Sequence, residues 1–248
     1  MHNTAIDALR ADRGELLGIC DGLGSADWSA PSGCAGWSVQ DVVAHVGALY
    51  WVVVDPSTLP DTSGLPTERA QNLYVEKRRS WSPAQVVGDY EEVSAKALDA
   101  LVGLAELDLE VPLGDLGTYP ASLLPSAFAF DHFLHIRSDL FAPRGPLTAE
   151  PPPADDLRVA PALDWVEAAL PQQNADALAS LGAAVEIELR GPAARRICLG
   201  QGSVASHVRS DSSMFLRWIT QRATWEGAGV EASGDENDLA VVRALRVF

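Results

Sequence analysis

Apolar positions in residues 3–24 recur at helical intervals. Ile6, Leu9, Leu16, Leu17 and Leu23 fall on one face, which predicts a first amphipathic helix. The following segment, WSAPSGCAGW, is rich in Gly, Ser and Pro and reads as a loop. Ser38-Val39-Gln40-Asp41 has the form of a helix N-cap with an acid three residues on, so a second helix is predicted over 38–54, carrying His45. Residues 55–67 are breaker-rich and 68–79 suit a short helix. Ser82, Pro83 and Gln85 then form a cap for a long helix over 83–104. Residues 105–121 are turn-rich. The stretch 122–141, SLLPSAFAFDHFLHIRSDLF, is apolar on most faces, the pattern of a helix buried in a bundle, with Pro125 in its first turn.

Beyond residue 142 the pattern changes. Residues 143–160 begin with a Pro-rich polar run and read as a linker. A helix is predicted over 161–170, and then the period switches from helical to alternating. Residues 184–189 (AVEIEL) and 195–199 (RRICL) read as partner strands. Ser210-Asp211-Ser212-Ser213 caps a helix bearing Met214, Phe215, Trp218 and Ile219, and 230–233 and 238–246 read as a last strand and a last helix. His207 falls in a predicted loop. The fold class expected is α+β: a four-helix bundle over 1–142, a linker over 143–160, and a small α/β domain over 161–248.

Composition narrows the function. The chain of 248 residues is 47% hydrophobic and 21% charged, enough for a full core. Its 34 acidic and 18 basic side chains give a formal charge of −16, which repels a phosphate backbone and argues against nucleic acid as partner. The same charge opposes an electrostatic membrane anchor, and no apolar run approaches the roughly 20 residues that span a bilayer. The opening residues are amphipathic and charged rather than a signal peptide, so a cytoplasmic protein is expected. Cys20, Cys34 and Cys198 have neither paired nor metal-type spacing and read as plain buried thiols, leaving no well-placed nucleophilic cysteine.

The sharpest chemical cluster is Asp131-His132-Phe133-Leu134-His135-Ile136-Arg137-Ser138-Asp139. Positions four apart share a helix face, so Asp131 and His135 point the same way, as do His135 and Asp139. One carboxylate and one imidazole can share an ion, and Asp139 is placed to accept the other ring N–H of His135. His45 supplies a third ligand if its helix faces this one. Two His and one carboxylate with an open position form the ligand set of catalytic zinc, and bundle cores are a common place to build it. The same spacings also make ordinary salt bridges. His132, three residues before His135, is an alternative ligand to Asp131. Arg222 ends the helix FLRWITQR, where a cation complements the helix dipole. Its other reading is contact with a substrate or thiol anion.

With those residues in view, the chain resembles the mycothiol-dependent maleylpyruvate isomerase family of the DinB-like superfamily of metal-binding four-helix bundles. GWSVQDVVAHVGALYW around His45 resembles the family's Trp-Ser/Thr-Val-x-Asp/Glu-Leu/Val-x-x-His element, and DHFLHIRSDL around His135 resembles its acid-x-x-x-His-x-x-x-Asp element. That family also appends a small α/β domain. The resemblance places His45, Asp131 and His135 on the family's metal-ligand positions, with Asp131 where its isomerases commonly carry glutamate. It implies a divalent metal, zinc first, and mycothiol or a similar small thiol as co-substrate. A metal-held thiolate would add to a small-molecule electrophile, as a monomer or homodimer. Release after bond rotation is cis/trans isomerisation. Retention is S-transfer, in detoxification or specialised-metabolite synthesis. The third reading is a non-catalytic binding or regulatory member.

Overall fold

The computed structural model describes residues 4–248, which form two compact units divided between Pro153 and Ala154. Asn3, the first residue of the predicted opening helix, lies outside the described residues. In the first unit, α1 (Thr4–Gly22) buries Ile6, Leu9 and Leu16, as their spacing requires, and a single turn, α2 (Ser25–Ser29), follows. Helix α3 (Val39–Val54) starts on the predicted box: the Asp41 N–H donates to Ser38 Oγ at 3.2 Å and the Ser38 N–H to Asp41 Oδ2 at 3.0 Å. Such a cap stabilises a helix end by about 1 kcal/mol. Helix α4 (Thr67–Glu76) and the long α5 (Pro83–Ala105) follow, the latter on a second box made by Ser82 and Gln85. The turn-rich stretch folds into a hairpin of two three-residue strands, β1 (Glu110–Pro112) and β2 (Thr118–Pro120), each too short and Pro-ended to show a period.

Helix α6 (Leu124–Leu134) has Pro125 in its first turn and continues into one π-helical turn, His135–Asp139, closed by the Leu140 N–H donating to His135 O at 3.1 Å. The sequence predicts a uniform helix here, and the wider turn is a departure from it. Helices α1, α3, α5 and α6 pack on one another as the bundle, around Tyr50, Tyr90, Leu101 and Phe133. Because α6 is enclosed, side chains pointing opposite ways from the π turn are both buried. Arg137 is one of them. Its guanidinium donates to Asp12 Oδ1 and Glu15 Oε2, both at 2.8 Å, and to Pro153 O at 2.9 Å, and it lies 4.9 Å from the centroid of the Phe133 ring.

The second unit opens with α7 (Asp156–Gln173), which begins on the Asp155 cap, five residues before the predicted start at Pro161. The Asp155 side chain accepts from the Arg158 N–H at this start, and Pro161 lies within the helix instead of opening it. A short helix α8 (Ala175–Ala179) leads to β3 (Ala184–Arg190), β4 (Arg195–Leu199) and β5 (Val204–Asp211). Then come α9 (Ser212–Ile219), capped by Asp211, β6 (Glu231–Ser233) and α10 (Glu236–Ala244). The sheet order is β4-β3-β5-β6, with β3 and β5 parallel and the other pairs antiparallel. Strand β5, which contains His207, replaces the predicted loop. Its inward positions include Ser206 and Ser210 instead of apolar residues, so no apolar alternation marks it. Ser206 must be small, because Gly234 packs against it with a φ of +129°. His207 is exposed, with Glu186 3.6 Å away.

No helix among the described residues is long and apolar enough to cross a membrane. Arg137→Leu should lower unfolding stability by about 3–5 kcal/mol in urea titrations, because it strips the buried network of its cation and leaves Asp12, whose carboxyl burial already pushes up to about 6, without the charge that holds it down. A loss under about 1 kcal/mol would show that these charges do not depend on it.

Candidate metal centre

The predicted trio comes together. His45 Nε2 on α3 lies 3.2 Å from Asp131 Oδ1 on α6, and His135 Nε2 lies 3.4 Å from the same oxygen. The two imidazole rings are 4.8 Å apart at 75°. One ligand atom from each residue falls within 4.8 Å of the others. Two donors bound at about 2.1 Å to one tetrahedral cation sit roughly 3.4 Å apart, so the separations on Asp131 fit a shared ion as well as a pair of His–Asp ion pairs. Asp131 Oδ2 is buried and has no hydrogen-bond partner among the described residues. The short aspartate arm reaches both rings.

Charge in the trio follows from its geometry. Burial opposes ionisation of Asp131, but the His135 and His45 rings beside it hold its carboxyl well below the usual range. Burial likewise disfavours imidazolium at His135. The Asp131 carboxylate, Cys34 and the hydrogen bonds to Asp131 and Asp139 outweigh it and hold His135 well above the usual histidine value.

Asp139 is where the spacing puts it: His135 Nδ1 and Asp139 Oδ2 are 2.9 Å apart, and Asp139 is fully buried. With Nδ1–H held there, Nε2 is the nitrogen turned to Asp131. His132 does not join the trio. Its ring sits 5.0 Å from Tyr50 and 6.1 Å from Tyr90, its Nδ1 is 3.0 Å from Phe128 O, and burial pushes it down to about 4. Successive residues on a helix point about 100° apart, which separates it from Asp131. Arg222 follows α9 in the second unit, half-buried, with its backbone N–H donating to Arg217 O at 2.7 Å.

Two further residues border the trio. Trp37 covers it, its ring 5.0 Å from His45 and 6.4 Å from His135, with Nε1–H donating to Asn72 Oδ1 at 3.1 Å. Cys34 is half-buried, with Sγ 3.6 Å from His135 Nδ1, and Cys198 is exposed, so the expectation of three buried thiols holds for Cys20 alone. The signal available in sequence was position, since Cys34 and Trp37 share the loop that enters the His45 helix. Cys34 and Asp139 both approach Nδ1, whereas a Cys-His-Asp relay needs thiol and acid on opposite ring nitrogens.

The loop is clamped to the π turn. The Gly33 N–H donates to Asp139 O at 2.8 Å, and Arg144 reaches Gly33 O at 2.5 Å and Asp139 Oδ1 at 3.4 Å. A Cβ on Gly33 would meet Asp139 Oδ1 at 2.9 Å, Asp139 Cα at 3.0 Å and Arg144 Cβ at 3.1 Å, so only glycine allows this approach.

Fold and site together define an α+β protein whose helix bundle gathers two imidazoles and a carboxylate under an aromatic cover. Residues 9–140, more than half of the chain, match the family model of the mycothiol maleylpyruvate isomerase N-terminal domain, and the chain belongs to that family. Two crystal structures of the mycothiol-dependent maleylpyruvate isomerase, one of a mutant, are similar in fold. They align over 93% of this chain and 92% of theirs, with a TM-score of 0.61 at 17% and 18% identity. No curated protein matches the chain.

Gly33→Ala should cost about 1–3 kcal/mol of stability by forcing the loop off the π turn. The displacement of Trp37 should shift its fluorescence, and an unchanged melting temperature and spectrum would contradict the clamp.

Proposed function

We propose that His45, Asp131 and His135 bind a divalent cation, zinc first, and that the protein is a thiol-dependent enzyme acting on an electrophilic small molecule. The observation that carries this reading is the 3.2 and 3.4 Å approach of two ring nitrogens to one carboxylate oxygen, in a chain of the mycothiol maleylpyruvate isomerase family. When bound, such a cation favours thiolate over thiol in an added small thiol, and thiolate is the nucleophile. The thiol is supplied from outside, mycothiol by the family's name. Cys34 is not substituted for it, because His135 Nδ1 is held by Asp139.

The protein's own groups then have defined tasks. Asp139 fixes the His135 tautomer, and the Trp37 ring shields the imidazoles from bulk water. Thiolate addition to a conjugated double bond leaves a single bond at the attacked carbon. Rotation and expulsion of the same thiolate restore the double bond in the other geometry, with no net proton or electron. This isomerisation, on a substrate of the maleylpyruvate type, is the reading advanced. S-transfer, in which the thioether is kept, is its rival outcome.

Purified protein should contain about one divalent ion per chain by elemental analysis. His45→Ala should weaken it beyond the roughly 10–100-fold cost of losing an outer hydrogen-bond partner. Full metal in His45→Ala would overturn the assignment. Maleylpyruvate incubated with mycothiol should change geometry without consuming thiol, whereas stoichiometric thiol loss would move the assignment to S-transfer.

Proton linkage gives a second test. With its raised pKa, metal-free His135 is protonated at neutral pH, and its ion-pair stabilisation is present below about pH 6.5 and lost as pH rises through the raised value. A cation needs the neutral ring, so binding at pH 7 should release about one proton per ion, and affinity should climb with pH until the His135 pKa is passed. Calorimetry in buffers of different ionisation enthalpy measures the release. No release would mean that His135 is not a ligand.

A further inference from the structure

The bundle core contains a second group of buried polar side chains in ring contact, on three helices. Tyr50 on α3, Tyr90 on α5 and His132 on α6 are each 0% exposed. The hydroxyls of Tyr50 and Tyr90 and the Nε2 of His132 are buried with no hydrogen-bond partner among the described residues. The three rings form a compact triangle, with centroids 5.0 Å apart for Tyr50 and His132, 6.1 Å for Tyr90 and His132, and 6.1 Å for the two tyrosines. Phe128 stacks on Tyr50 at 5.4 Å and makes one wall apolar.

A buried polar atom left without a partner forfeits its hydration, and native cores almost always satisfy such atoms with protein or ordered water. Three such atoms on rings in mutual contact can be served by one small partner. The required chemistry can be read from the groups. The Phe128 carbonyl only accepts, so His132 Nδ1, 3.0 Å from it, carries the proton, and in the neutral ring Nε2 presents a lone pair. Each tyrosine hydroxyl both donates and accepts. The complementary ligand must donate to an imidazole nitrogen, exchange hydrogen bonds with hydroxyls, carry no charge, and fit among packed rings. Water meets all four conditions.

We propose that Tyr50, Tyr90 and His132 form a built site for long-lived internal water, which ties α3, α5 and α6 together inside the bundle. Two of those helices carry His45 and Asp131, and His132 directly follows Asp131, so this water sets the helix register on which the trio depends. The inference does not rest on the metal assignment, because its groups are separate from the trio.

The test uses the full chain in oxygen-17 water, whose magnetic relaxation dispersion counts water molecules held inside a protein. Tyr50→Phe and Tyr90→Phe each remove one hydroxyl and keep the ring, so the fold should survive. The dispersion amplitude should fall in at least one variant relative to the unmodified protein, and combining the substitutions should lower the melting temperature by less than the sum of the single effects. An unchanged amplitude in both variants would overturn the proposal, and a raised melting temperature would accompany it, since deleting a dry buried hydroxyl relieves its desolvation. A high-resolution crystal map is the independent check. Density within hydrogen-bond reach of two of the three atoms is expected, and its absence would likewise refute the site.

Discussion

The His135 ring is the element on which the rest depends, because each of its nitrogens faces a different carboxylate. Nδ1 lies 2.9 Å from Asp139 and Nε2 3.4 Å from Asp131, in a residue that is 7% exposed. A buried imidazole held on both sides cannot flip without stranding a buried acid. Its orientation is therefore fixed before any ligand arrives, which is the preorganisation that a metal or catalytic site needs. The same Asp139 also receives the loop. Its backbone carbonyl takes the Gly33 N–H and its Oδ1 takes Arg144, so Trp37 is carried over the trio by the group that orients His135.

The π turn explains how one helix end serves two buried networks. His135 and Arg137, two residues apart, point to different sides of the turn, one against His45 of α3 and the other against Asp12 of α1. On a surface helix one of these sides would face water. Here both are enclosed, so both polar groups need partners from neighbouring elements, and Asp12, Glu15 and the Pro153 carbonyl supply them for Arg137. Charges buried in this way contribute more to a fixed arrangement than to net stability, since desolvation offsets much of their attraction. Extra residues in π turns are commonly retained where a functional side chain must be aimed, and this one lies at the end of the helix that carries Asp131 and His135.

Features governed by local chemistry were legible in the sequence. The Ser38–Asp41 and Ser82–Gln85 boxes need only residues three apart, and both formed where the spacing put them. The Asp131, His135 and Asp139 face follows from helix geometry alone. His45 was different: it is 86 residues from Asp131, and only family resemblance, not periodicity, joined the two. What stayed hidden depends on packing. Strand β5 shows no apolar alternation because Ser206 sits where Gly234 leaves no room, and Arg137 looks like an ordinary surface cation until α1 closes over it. His132 illustrates the opposite failure: its spacing from His135 suits a ligand, yet its ring is taken up by the tyrosines of α3 and α5.

Cys34 sharpens the argument about where a nucleophile would come from. A thiol within 4 Å of a histidine invites a cysteine-enzyme reading, but the nitrogen it approaches already faces a buried carboxylate. Activating that thiol would require His135 to give up the Asp139 carboxylate. The other nitrogen is turned to the side where Asp131 Oδ2 is buried without a partner. Ligand atoms gather on both sides, Cys34 and Asp139 around Nδ1 and His45 and Asp131 around Nε2, but Nδ1 is already engaged by the Asp139 carboxylate. This arrangement supports the proposed reading, in which a cation is held by the trio and the thiol comes from outside. The aspartate fits the same logic: with both ring nitrogens already within 3.4 Å of its Oδ1, a longer arm is not needed to complete the group.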